Sequence, residues 1–158
     1  MIILGIDPGT TRIGYGFIES EGNHMSCLAY GTIGQSGLEK IENFRQTERQ
    51  LIELIEHFKP ERAGLEKLFF TKNQKTAMAV SEMRGILLLT LAKHGIQIQE
   101  FTPLQVKQYI SAYGKADKAQ VQRMVKMLLN LQKPVTPDDA ADALAIAMCC
   151  SNTSLYEH

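Results

Sequence analysis

The sequence predicts an α/β fold: a mixed five-stranded sheet, three antiparallel strands and then parallel additions, flanked by helices. Three observations predict it. Strand-like segments crowd the chain up to Ile33 with only short turns between them. Apolar residues then recur at helical spacing from Leu38 to Phe58. Beyond Pro60, short strand-like and longer helix-like segments alternate, giving the order βββαβαβααα over 158 residues.

The first strand is Ile2 to Asp7, closed by the turn residues Pro8-Gly9. The second runs from Arg12 to Glu19 and contains Gly14 and Gly16; the third, Met25 to Ile33, follows the turn Glu21-Gly22-Asn23. Connections this short imply an antiparallel meander. Leu38, Ile41, Phe44, Leu51, Ile52, Ile55 and Phe58 form one helix, which Lys59-Pro60 ends. Arg62 to Leu68 reads as a short strand with Glu66 near its end. A helix from about Asn73 to His94 stops at Gly95, and Ile96 to Phe101 alternates as a strand does. Thr102 caps the next helix with Pro103 at its first position. After Gly114, helices over Asp117 to Asn130 and Pro137 to Cys150 complete the pattern. With no linker, internal repeat or low-complexity run, residues 1–158 are expected to form a single domain whose last few residues are a flexible tail. Right-handed crossovers would lay the fourth strand beside the first and bring Asp7 close to Glu66.

Composition excludes a disordered tail protein, and neither Gly85 to Ala92 nor Ala140 to Cys150 has the roughly 18–20 apolar residues of a membrane span. The chain enters its first strand without a basic lead-in or a small-residue cleavage site, so no secretory signal is expected. Cys27, Cys149 and Cys150 lack metal-site spacing and read as free thiols of a reducing, cytoplasmic compartment. The formal net charge is zero, but it is unevenly spread: residues 1–70 carry −3, residues 71–133 carry +7 and residues 134–158 carry −4. A basic segment between acidic ones suits a protein that meets phosphates on one surface and gathers cations on another, although a solvated helix face explains the charge alone equally well.

Asp7 ends an otherwise apolar strand, where an unpaired carboxylate needs a cation, hydrogen-bond donors or solvent. A turn-starting Asp before Pro-Gly is the simpler alternative. Glu66 interrupts a strand at a level that can face Asp7; an exposed strand end paired with Lys67 or an Arg would also account for it. Asp138, Asp139 and Asp142 lie in the first two turns of the last helix. With Thr136 as N-cap and Pro137 at the first helical position, favourable charge at the helix start explains Asp138 and Asp139 but not Asp142. Asp139 and Asp142 lie about 60° apart around the axis and Asp138 and Asp142 about 40°, so either pair can face one side. The small residues of Ala140-Ala141-Asp142-Ala143-Leu144-Ala145 let that helix approach a sheet closely. Four carboxylates without a nearby His or Cys are hard oxygen donors suited to Mg²⁺ or Mn²⁺, two of which could serve phosphodiester hydrolysis.

Five motifs in order then resemble the RuvC family of Holliday junction resolvases over nearly the whole chain. They are Ile3-Leu4-Gly5-Ile6-Asp7-Pro8-Gly9 with Gly14-Tyr15-Gly16; Glu66-Lys67-Leu68-Phe69 with Lys72-Asn73; Gln105-Val106-Lys107-Gln108; Lys118 with Gln120-Val121-Gln122; and Asp139 to Ala147. The resemblance implies an RNase H-like fold and a homodimer that nicks a four-way DNA junction at two symmetric positions with divalent metal. It implies Asp7, Glu66, Asp139 and Asp142 as the catalytic, metal-holding acids, with two Mg²⁺ or Mn²⁺ ions per site, and leaves Asp138 as a helix-end acid. It also points Phe69 to the junction centre, where an aromatic ring can stack on a base. Lys107 and Lys118 fall near DNA phosphates, joined by Lys72 and Asn73. Cooperation with the RuvA and RuvB branch-migration proteins is a further implication, as is a role in recombination and repair. A two-fold junction cut twice needs two sites, which favours the dimer independently, and the apolar helix near Met78 to Leu89 is one candidate face. Two departures stand out, Lys67 directly after Glu66 and a short C-terminal tail without basic residues.

Three other readings compete. Gly5 to Thr11 also looks like the phosphate hairpin of actin-like kinases, but those close two lobes on a nucleotide and this length suggests one. A YqgF-like RNA-processing nuclease shares the fold and chemistry but matches less well at Phe69 and Asp139 to Ala147. A catalytically dead junction-binding module fits poorly because all four acids are present.

Overall fold

Strand β1 (Ile2–Asp7) is apolar up to its last residue and occupies the middle of a five-stranded sheet of order β3-β2-β1-β4-β5. The computed structural model describes residues 1–68, 74–111 and 115–153. Strands β2 (Ile13–Glu21) and β3 (His24–Ile33) pair antiparallel as the expected meander, with Asp7 opposite Gly14. Strands β4 (Arg62–Glu66) and β5 (Gln97–Phe101) join the far side of β1 in parallel. The fourth strand therefore pairs with the first, as right-handed crossovers predict, with Ile6 beside Leu65.

Helices cover both faces. Ile3 and Ile18 point into a core shared with α3 (Pro103–Ser111), α4 (Lys118–Leu128) and α5 (Asp138–Asn152). Leu4, Ile6, Phe17 and Leu65 point the other way, into a core shared with α1 (Lys40–Phe58) and α2 (Gln74–Lys93). Because strand side chains alternate, Gly5 and Asp7 follow Ile3 onto the α5 face, and Gly64 and Glu66 lie on that face of β4. Among the described residues no helix is long and apolar enough to cross a membrane.

Helix ends follow their local chemistry. Thr102 Oγ1 accepts from the Gln105 N–H at 3.1 Å while Gln105 Oε1 accepts from the Thr102 N–H at 2.8 Å, a reciprocal box at the start of α3. Asp117 and Gln120 form the same box for α4 at 2.7 and 2.9 Å. Some expectations need correction. Thr136 does not cap α5: the helix begins at Asp138, Pro137 occupies the cap, and no side chain bonds the end. Strand β4 stops at Glu66 rather than Leu68, although the Lys67 N–H still reaches the Phe101 carbonyl at 2.7 Å. In α1 the buried stripe runs Asn43, Thr47, Leu51, Ile55, whereas Ile41 is exposed. Asn43 is inside because the turn before α1 needs its amide: Oδ1 accepts from the Gln35 N–H at 2.9 Å. Helix α2 buries Met83, Leu87 and Leu91 and leaves Met78 and Leu89 exposed. The expected C-terminal tail beyond Thr153 lies outside the described residues.

Candidate active site

Two strands that run parallel present their C-terminal ends at one sheet edge, the place where α/β sheets open a crevice. Asp7 ends β1 and Glu66 ends β4, one step beyond the Ile6–Leu65 pair. Both carboxylates therefore leave the sheet at the same level, on the face that α5 covers.

Glycine lets α5 come close enough to answer them. A Cβ on Gly5 would overlap the Ala143 carbonyl, and one on Gly14 would overlap the Asp139 carbonyl. Asp139, Ala143 and Ala147 recur four apart along α5, so the helical ridge resting on the strands carries an acid at its N-terminal end. Asp142 lies one turn further on.

Asp7, Glu66, Asp139 and Asp142 line one cavity of about 340 Å³, together with Lys107, Lys118 and the apolar wall of Pro103, Val106, Val121 and Ile146. Of the two acid pairs that helical spacing allows, the cavity receives Asp139 and Asp142. Asp138 is exposed and accepts a 2.5 Å hydrogen bond from Gln122 Nε2 on α4, which ties the two helix starts together outside the cavity. Phe69, Lys72 and Asn73 lie outside the described residues.

The electrostatics are those of crowded carboxylates. Burial, followed by the charges of Glu66, Asp142 and Asp139, pushes the Asp7 carboxyl up to about 8 against a partial offset from Lys118. Burial also raises Glu66, with Asp142 adding to it and Lys107 and Lys118 opposing. Asp142 is raised by burial, lowered by Lys118, and raised further by Asp138 and Asp139. The acids share the cavity without meeting at one point: among the described residues no group of three or more His, Cys, Asp or Glu is placed to hold a metal ion. The donor set is nonetheless all oxygen, since no His or Cys among the described residues lines the cavity, and its mutual repulsion is of the kind a divalent cation relieves.

Sequence reasoning missed the apolar wall and the glycine contacts. A signal for the second exists: Gly5 and Gly64 each stand two residues before an acid, so each shares its strand face with one. It also missed Arg84, whose partners Glu66 and Glu100 lie on other elements and leave no local pattern.

A mixed sheet of this order, carrying acids at the ends of neighbouring parallel strands and on a helix laid across them, places the chain in the RNase H-like fold class. The family model described as crossover junction endodeoxyribonuclease RuvC matches residues 3–150. A crossover junction endodeoxyribonuclease RuvC of Petrotoga mobilis is 50% identical over 153 residues, covering 96% of this chain and 94% of that protein. Thermus thermophilus RuvC, solved in complex with a Holliday junction substrate, superposes with a TM-score of 0.88 at 30% identity over 94% of this chain and 92% of that one. The yeast mitochondrial Holliday junction resolvase shares the fold with a TM-score of 0.67 at 17% identity, over 94% of this chain and 77% of that one. The chain belongs to the RuvC family of crossover junction endodeoxyribonucleases.

Proposed function

We propose that this chain resolves four-way DNA junctions by two symmetric, metal-dependent nicks, acting as a homodimer in recombination and repair. Asp7, Glu66, Asp139 and Asp142 are the catalytic acids and the ligands of two divalent ions, Mg²⁺ or Mn²⁺. The observation that carries the reading is the acid cavity itself, in which burial and then the charges of three other carboxylates push Asp7 up to about 8. Isolated in a cleft, such a group is costly; as one ligand of a cation it is stabilised.

The strands supply rigidity and the helix supplies the remaining charge. Asp7 and Glu66 follow directly on the paired residues Ile6 and Leu65, while the Gly5 and Gly14 contacts fix the height of Asp139 and Asp142 above them. When bound, two such ions supply an activated water for in-line attack on phosphorus and charge stabilisation at the leaving oxygen. Lys107 and Lys118, which line the cavity, neutralise the scissile strand's phosphates and temper repulsion among the acids. Phe69 stacks at the junction centre, with Lys72 and Asn73 beside it on the backbone; the family resemblance alone supports these three roles. The same resemblance supports a single nuclease domain, a cytoplasmic location and cooperation with the RuvA and RuvB branch-migration proteins.

The test is cleavage of a labelled four-way junction beside a linear duplex of the same sequence, with Mg²⁺, Mn²⁺ or EDTA, and with Asp7→Asn as control. Paired nicks in the junction alone, lost in EDTA and in the variant, are expected. Tight junction binding with no cutting in either metal would replace the reading with that of a binding module.

A further inference from the structure

Glu66 is the last residue of a five-residue strand, and the peptide that follows it makes one more bond to β5, from the Lys67 N–H to the Phe101 carbonyl at 2.7 Å. A side chain at such a point inherits any movement of its own peptide, because carboxylate and main-chain carbonyl hang from one Cα. The carbonyl of Glu66 accepts a hydrogen bond from Arg84 Nε at 3.3 Å. Nη2 of the same guanidinium is ion-paired with the carboxylate of Glu100 on β5. Glu100 stands opposite Leu65, so the fork spans the ends of both strands.

The base of the fork is equally fixed. Arg84 follows Met83 and precedes Leu87 on α2, and both pack into the core that holds Leu4, Ile6 and Leu65. Its side chain is 15% exposed, and burial lowers its pKa, yet a guanidinium remains charged in proteins. A charge buried to this extent is retained only with good partners, and among the described residues these are the Glu66 carbonyl itself and a carboxylate on the neighbouring strand. Arg84 does not line the acid cavity, where Lys107 and Lys118 are the cations among the described residues.

We propose that Arg84 is a positioning residue: it clamps the Glu66 carbonyl to Glu100 and so sets where the Glu66 carboxylate enters the acid cavity. This rests on the metal-ligand role assigned to Glu66 above. A structural ion pair would affect stability alone, whereas a clamp on the peptide of a ligand affects metal affinity.

The experiment measures Mn²⁺ binding by the electron paramagnetic resonance of free Mn²⁺, without DNA, for the unmutated chain, Arg84→Gln, Arg84→Lys and Glu66→Gln. Thermal melts establish folding, and junction affinity is read in EDTA. Arg84→Gln is expected to weaken Mn²⁺ binding about tenfold or more, with junction affinity in EDTA unchanged. Arg84→Lys, which keeps the charge but loses the planar fork, falls between. Should Arg84→Gln fail to fold, Arg84→Lys and Glu100→Gln carry the test in the same direction. Folded Arg84 variants with unchanged Mn²⁺ affinity, alongside a weakened Glu66→Gln, would overturn the clamp alone. Undiminished binding by Glu66→Gln would overturn the ligand role and the clamp with it. Loss of junction binding in EDTA with Mn²⁺ affinity intact would make Arg84 a DNA contact instead.

Discussion

Gly14 on β2 lies so close beneath Asp139 on α5 that a Cβ at Gly14 would overlap the Asp139 carbonyl. The helix that carries two of the four cavity acids is therefore seated by an absent side chain. Gly14→Ala is expected to destabilise the fold by about 1–3 kcal/mol, because a backbone carbonyl cannot swing aside as a flexible side chain can. Urea unfolding checks the stability. Junction cutting by the folded fraction should fall as well, since lifting the start of α5 moves Asp139 and Asp142 together.

Neutralising Asp7 is expected to stabilise the metal-free protein, in a pH-dependent way. An ordinary unfolded carboxylate titrates near 4, whereas Asp7 in the fold titrates at about 8. Between those values the folded state binds one proton more than the unfolded state, so stability falls as pH rises, and it levels off above the upper value. Asp7→Asn removes that slope. Its melting temperature in EDTA should match the unmutated protein below about pH 4 and exceed it increasingly towards pH 8, by roughly 1.4 kcal/mol of stability for each pH unit crossed.

Cation binding should expel that proton. At pH 7 Asp7 is largely protonated without metal, so Mn²⁺ binding is expected to release about one proton from it, fewer as pH rises past its value of about 8. Calorimetry in buffers of different ionisation enthalpy measures the count. No release at pH 7 would remove Asp7 from the ligand set.

Lys118 is expected to act on both the DNA and the acids. It lowers the pKa values of Asp7, Glu66 and Asp142, so Lys118→Ala should let all three rise. The acid limb of the cutting rate against pH is then expected to move to higher pH. The salt dependence of junction binding should become shallower by about one counterion.

Adjacent aspartates should part company. Asp138 accepts from Gln122 outside the cavity and Asp139 lines it. Asp138→Asn, which keeps an acceptor oxygen, should cost only about 0.3–1 kcal/mol of stability at the helix start and leave cutting intact. Asp139→Asn should lose cutting while melting no lower than the unmutated chain. A junction assay beside a thermal melt separates the two.

The sequence by itself determined the element order, the mixed sheet and the acids, since alternation, helical periodicity and turn residues are local signals. Parallel pairing of the first and fourth strands followed from the handedness of crossovers, and with it the adjacency of Asp7 and Glu66. Tertiary structure decided what depends on contacts between distant segments. Helical spacing left Asp138 and Asp139 equivalent and only the family resemblance favoured Asp139; the packing of α5 on Gly5 and Gly14 turns Asp139 inward and leaves Asp138 to Gln122. The cap that Thr136 offers on paper is lost because the helix starts at Asp138, and the amide of Asn43 is buried where it joins the turn before α1 to the distant Thr11 carbonyl. The hold of Arg84 on Glu66 and Glu100 joins three elements 16 to 34 residues apart in the chain. No periodicity records such a contact, because its partners are chosen by the distance between folded surfaces and not by the order of residues.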